Sequence, residues 1–281
     1  MLASAKNLKP ENTSFNGEWT SVPTGLGSIN FPTLEPLPQQ GIPWPSRHNV
    51  VDPERQLNLM QEMQICINKL KHSQFYHTFL DQIQNTQIVD NFVRALDSEL
   101  KMQMVIYGIG SIESDEPCRF QLSLAILMKR KFSWIGEIEV FDPVLSTTET
   151  RVLEALGCSV LSVNEQARRK ALKPTFFFMP HCDIRLYNNL LQENWQAELL
   201  NHTVVFGNSF KLHEQIASKY TRSYSAEAKH VLGVQKFMNE FRIKTFSDEW
   251  FGGAFGDSSL HFFYLDPEIE LQCIQAYFFS V

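Results

Sequence analysis

The run Pro180-His181-Cys182-Asp183 sets an imidazole, a thiol and a carboxylate side by side within four residues. His181 can take or give a proton near neutral pH, or ligate a metal. Cys182 can serve as a nucleophile or soft ligand if a helix start depresses its pKa. Asp183 has a plainer use as the cap of the helix that follows. Adjacent turn residues rarely aim at one substrate atom, so the pair does not make a His–Cys dyad by itself. A structural or binding role outweighs direct catalysis for each.

Four other groups bear on chemistry. Gly108-Ile109-Gly110-Ser111 supplies the first two glycines of a nucleotide fingerprint, which permit a tight turn and bring backbone donors close to an anion. The third glycine is missing, and Glu113, Asp115 and Glu116 would repel a phosphate. Asp142 ends a strand-like run, where an acid can hold a ribose hydroxyl, although Asp142-Pro143 also reads as a simple strand-ending turn. Asn188 and Asn189 are poor helix formers inside a helical pattern, which suggests a hydrogen-bonding task. Asn208 and Ser209 follow another apolar run. Asp257 and His261 approach from the C-terminal region, a loop acid four residues before a strand histidine. A mononuclear metal held by His181, His261 and an acid is compatible with these types, but no spacing enforces it. His72 and His77 read as surface or core-edge groups, and His202 falls at the opposite end of its strand.

These residues can meet only if the chain between them alternates strands and helices. It does: Met104 to Gly108, Ile138 to Asp142, Phe176 to His181 and Val204 to Asn208 are short apolar runs ending in small, acidic or imidazole-bearing groups. Carboxyl ends of parallel strands converge on one crevice. The pattern predicts strands near 104–108, 137–141, 158–162, 175–179 and 203–206. Helices are expected over about 117–131, from a capping box at Ser146 and Glu149 to a stop at Gly157, over 165–172, 183–195 and 212–219. The expected fold is α/β, a Rossmann-like, doubly wound and mostly parallel sheet in the order 3-2-1-4-5. N-terminal helices precede it and a C-terminal α/β extension follows. That order sets the Gly108–Ser111 turn opposite Pro180–Asp183 across the switch point.

Three regions follow from composition. Residues 1–52 are rich in proline and read as an extended, mobile segment, with Trp19 and Trp44 available to dock on the body or on a partner. Residues 53–100 read as a helical lead-in packed on the main domain, starting at Asp52-Pro53. Residues 101–281 form the Rossmann-like domain. Within it, Ala226 to Phe241 looks helical, Trp250 to Asp257 looks like a glycine-rich loop, and strands are expected at Leu260–Leu265 and Ile269–Phe279.

With 25 Lys and Arg against 31 Asp and Glu, the formal charge of -6 gives no basis for nucleic-acid backbone binding. The basic run Arg168-Arg169-Lys170 reads as a solvated face. Cys66, Cys118, Cys158, Cys182 and Cys273 form no Cys-x-x-Cys pair, which argues against a disulfide framework or zinc knuckle. No apolar core follows the early lysines, and Leu122 to Met128 is too short to cross a bilayer. The expectation is a protein without membrane insertion, in the cytoplasm with the nucleus as a second compartment.

The chain resembles the sensitivity-to-red-light-reduced family. The matching stretches are Tyr107-Gly-Ile-Gly-Ser111, Phe141-Asp-Pro143, Met179-Pro-His-Cys182, Leu186-Tyr-Asn-Asn-Leu190, Trp195, Gly207-Asn-Ser-Phe210 and Asp257-Ser-Ser-Leu-His261. They cover about 100–265. Ser258 stands where the family usually has threonine. The resemblance implies a role in circadian regulation, with animal relatives linked also to heme biosynthesis and a fungal relative to microtubule phenotypes. It implies no common reaction. Non-covalent heme contact through His181 or Cys182 is chemically suitable. The leading expectation is therefore a regulatory protein that binds a small molecule or protein partner at the strand-end crevice. One alternative is an enzyme using a nucleotide or S-adenosylmethionine there, with Gly108, Gly110, Ser111, Asp142, Asn188, Asn208 and Ser209 around the ligand and His181, Cys182, Asp257 and His261 as catalytic candidates. Another is a pure interaction scaffold.

Overall fold

The computed structural model describes residues 52–219, 227–246 and 249–266. The expected N-terminal segment with Trp19 and Trp44, the expected strand Ile269–Phe279, and Cys273 lie outside the described residues. Seven strands form one sheet in the order β3-β2-β1-β4-β5-β7-β6. They are β1 (Met102–Tyr107), β2 (Ile135–Phe141), β3 (Cys158–Val160), β4 (Thr175–Met179), β5 (Thr203–Asn208), β6 (Met238–Arg242) and β7 (Ser258–Phe263). The first five run parallel in the order that the alternating pattern predicts. β7 is antiparallel to both β5 and β6.

Strand periodicity of two sorts the core into two layers. In β4, Phe176 and Phe178 face one layer, while Phe177 and Met179 face the other. The first layer is covered by α1 (Pro53–Lys71), α2 (Gln74–Ile83), α3 (Thr86–Leu96), α4 (Glu116–Lys131) and α5 (Thr147–Ala155). The second is covered by α6 (Ile184–Glu193), α7 (Ala197–Asn201), α8 (Phe210–Lys219) and α9 (Lys229–Gly233), together with the loop 161–174. Asp52 caps α1, its carboxylate accepting from the Glu54 and Arg55 amides at 3.0 and 3.3 Å. The capping box at Ser146 and Glu149 is present at the start of α5.

Three local expectations are corrected. Residues 165–172 form no helix. Side chains take the backbone groups that a helix would use: Asn164 accepts from Gln166 N–H, Asn194 accepts from Ala171 N–H, and Asn194 donates to Arg169 O. Gln166 and Ala167 adopt left-handed φ of 50° and 57°. The expected helix over 226–241 is only α9 and a 3-10 turn, Val234–Phe237, because Met238–Arg242 pairs with β7. The expected loop 250–257 is mostly α10 (Glu249–Phe255). There Phe255 stacks on Phe75 at 4.5 Å, and packing outweighs the helical cost of Gly252 and Gly253.

Candidate functional site

The two glycines after β1 are needed for close approach of sulfur. Both have positive φ, 68° at Gly108 and 74° at Gly110. A Cβ on Gly108 would lie 2.5 Å from Cys182 Sγ, and one on Gly110 would lie 2.7 Å from Cys118 Sγ. The turn's polar groups are engaged by carboxylates. Gly110 N–H donates to Asp142 at 2.8 Å and Val144 N–H donates to it at 2.9 Å. Ser111 Oγ and Glu113 N–H donate to Glu149, at 2.7 and 3.1 Å. Burial raises the Asp142 pKa to about 6, against the two amides that lower it.

Opposite this turn, the end of β4 is equally spoken for. His181 has φ 56° and donates its backbone N–H to Asn208 Oδ1 at 2.8 Å. Its Nε2 lies 3.1 Å from Ala254 O, so the ring is the Nε2–H tautomer and Nδ1 is the acceptor. Burial lowers its pKa, with Asp257 and the Ala254 carbonyl pulling the other way, which keeps it neutral. Cys182 is buried and donates to Tyr107 O at 3.2 Å. Burial pushes its thiol well up, which removes the thiolate that nucleophilic attack requires. Asp183 caps α6 through Arg185 N–H at 2.8 Å, as expected.

The remaining candidates separate. Asn188 Oδ1 accepts from His230 N–H at 2.8 Å and ties α9 to α6. Asn208 N–H donates to Tyr187 OH at 3.0 Å, while that hydroxyl donates to Met179 O. Ser209 Oγ donates to Glu240 at 2.5 Å, and Ser259 Oγ and Lys211 N–H join it at 3.0 and 3.1 Å. His261 lies fully buried in mid-strand, stacked on Phe210 at 4.0 Å. Its Nδ1–H meets Val205 O at 3.2 Å and its Nε2 accepts from Phe210 N–H at 3.4 Å. Burial holds its pKa at about 4 despite Glu240. Asp257 turns the chain into β7 with φ 57° and pairs with Arg242 at 2.6 Å. His181 Nε2 and both ring nitrogens of His261 are therefore engaged in separate places. Among the described residues no three His, Cys, Asp or Glu side chains are grouped to hold a metal ion.

A cleft does open at the carboxyl ends of β1 and β2. It is lined by Tyr107, Gly108, Phe141, Pro143 and Leu186, and roofed by Asn164, Gln166 and Ala167 of the loop after β3. Its free space is about 10 Å³, room for about one water. Tyr107 OH donates to Glu165, and Arg169 grips Glu165 through two nitrogens at 3.0 Å each while also bonding Glu139. The i,i+4 spacing of Glu165 and Arg169 was the available sequence signal for this clamp. Glu240 gave none, because its segment reads as helix. The cleft is too small for a heme macrocycle, and neither His181 nor Cys182 lines it. The residues present do not fit that cofactor.

Residues 56–262 match the SRR1 domain family. The Protein SENSITIVITY TO RED LIGHT REDUCED 1 of Arabidopsis thaliana is 52% identical over 232 residues, which cover 82% of this chain and 84% of that protein. An SRR1-like protein of Mus musculus is 40% identical over 126 residues, 42% of this chain and 49% of that one. Among solved structures, MtNAS in complex with MTA and tNA is 15% identical with a TM-score of 0.38, covering 75% of this chain and 71% of that one. Its likeness is too distant to bear on function. With its matching stretches carried in order from α1 to β7, the chain belongs to the SRR1 domain family.

Proposed function

We propose that this protein regulates light- and clock-linked gene expression through a small molecule or protein partner bound at the strand-end cleft. The observation that carries the reading is the cleft itself: apolar walls from the ends of β1 and β2, closed by a roof loop that carries two left-handed residues. A ligand there would reset the 161–174 loop and the α6 surface beneath it, which a protein partner can read. Work in the cytoplasm or nucleus suits a chain whose described helices are none of them long and apolar enough to cross a membrane. The name of the Arabidopsis relative supports the light-signalling side. The regulation of heme synthesis draws no support from the cleft's chemistry.

The test is complementation of an Arabidopsis line lacking its relative, scored by the period of a clock reporter. Ala167→Leu fills the roof of the cleft, and circular dichroism checks that the variant folds. Wild type restoring the period and the folded variant failing is the expected result. A folded variant that restores it fully would sink the proposal. An enzyme with a nucleotide or S-adenosylmethionine in the same cleft is the second reading, favoured by Gly108 at its wall. The four catalytic candidates offer it no nucleophile–base pair, since His181, Cys182, Asp257 and His261 each bond elsewhere.

A further inference from the structure

One edge of the sheet is open. Tyr264 N–H donates to Phe237 O and Ile243 N–H donates to Ser258 O, both at 2.9 Å. Backbone groups alternate between the two sides of a strand, so Phe237, Asn239, Phe241 and Ile243 turn theirs to β7. Met238, Glu240 and Arg242 turn theirs outward, and β6 ends the described sheet. At one end of that row Gln82 of α2 stands in for a neighbour. Its side-chain amide donates to Arg242 O at 3.2 Å and accepts from Lys244 N–H at 3.0 Å. Those are the two groups that one residue of a parallel strand would engage. Among the described residues nothing bonds the backbone N–H and C=O of Met238 and Glu240, or the N–H of Arg242.

A groove of about 580 Å³ lies between this row and the α2–α3 corner. Its lining joins apolar Ile88 and Phe241 to polar Thr78, Asp81, Asn85 and Gln87. A row of bare backbone groups beside such a groove selects an extended chain, which alone can pair them in series.

The residues after β7 supply that chain. Asp266-Pro267 is a turn signal, and Ile269-Glu270-Leu271-Gln272-Cys273 alternates apolar and polar residues as a half-buried strand does. Such a strand cannot pair with β7, whose two sides are taken by β5 and β6. From Leu265 to Ile269 the backbone spans at most about 14 Å. A strand outside β6 stands two spacings from β7, about 10 Å, whereas one outside β3 stands six, about 29 Å. Only the β6 edge is in reach.

We propose that Ile269–Cys273 adds to the outer edge of β6 as an eighth strand, seating its apolar side chains in the groove. Entering from the Met238 end, it runs parallel to β6, the direction that the Gln82 contacts already imitate. It closes the edge against strands of other chains. Three strands separate β6 from β1, so the proposal and its test stand apart from the strand-end cleft.

The experiment is hydrogen exchange on the full chain, resolved to single amides. The Met238 and Glu240 amides should exchange at least about tenfold more slowly than exposed amides. Successive residues of a strand face opposite sides, so one of Leu271→Pro and Gln272→Pro removes a donor aimed at β6. That variant should return both amides to the exposed rate. Asn239 and Phe241, bonded to β7, should stay slow and report an intact fold. Fast exchange at Met238 and Glu240 in the wild-type chain overturns the proposal. So does protection that survives both proline variants. Protection that grows with protein concentration also overturns it, and assigns the edge to a second copy.

Discussion

Gly207 lacks a side chain because the Tyr187 ring occupies the space for one. A Cβ there would come within 2.6 Å of the ring edge and 2.7 Å of the hydroxyl. Tyr187 is fully buried, so the ring has no direction in which to yield. Gly207→Ala should cost about 1–3 kcal/mol, seen as a lower urea midpoint at an unchanged slope. Tyr187→Phe keeps the ring but strands the Asn208 N–H and the Met179 carbonyl, for a similar cost of about 1–3 kcal/mol. Asp142 makes a different kind of prediction. Its folded pKa of about 6 lies above the ordinary 3.8, so the folded chain binds more protons between those values. Its contribution to stability should fall as pH rises from about 4 to 6, by roughly 2 kcal/mol, the larger part of a full effect of about 1.4 kcal/mol per pH unit between the two values. In Asp142→Asn that component vanishes. The difference between wild-type and variant urea midpoints, measured at pH 4 and at pH 6, checks it; an unchanged difference would refute it.

At the scale of elements, α5 and the turn after β1 share one carboxylate. Glu149 closes the α5 capping box through Ser146 N–H at 2.6 Å and also holds Ser111 and Glu113. Ser146→Ala should cost about 1 kcal/mol, the usual value of a cap. Glu149→Ala should cost about 2–3 kcal/mol, since it also leaves buried donors unpaired. Faster hydrogen exchange at the Glu113 amide in Glu149→Ala alone would show the coupling. This cap was legible because a capping box is written in four consecutive residues, and β4 was legible because Phe176–Met179 is an unbroken apolar run. The strand order followed from connection preferences that need no side-chain detail. The 165–172 loop was not legible, since its helical hydrogen bonds are taken by Asn164, Asn189 and Asn194, two of them more than fifteen residues away. β6 was hidden for a related reason: its state is set by pairing with β7, and its apolar residues Met238 and Phe241 fall on opposite faces, so no alternation shows. The glycines of the site were visible, but their cysteine partners were not, because contact between Gly110 and Cys118 is a fact of packing.

For the whole molecule, three buried imidazoles set the response to acid. Burial lowers His213, His230 and His261 to about 4. Unfolded, each would titrate near 6.5, so the unfolded chain binds more protons between pH 4 and 6.5. The stability that depends on their neutral state is present above about pH 6.5 and is lost as pH falls towards 4, opposing the Asp142 effect. The urea midpoint should drop from pH 7 to pH 5, and His230→Gln should make the drop shallower. The sheet carries one further consequence, which concerns synthesis. β6 is made before β7, and among the described residues its ladder is with β7. β5 likewise keeps one side open until β7 arrives. Ser258–Phe263 thus fills a slot between two strands that have already left the ribosome. A premature stop just before Ser258 would release a chain with two unpaired strand edges and a broken inner layer, a form suited to proteolysis or aggregation.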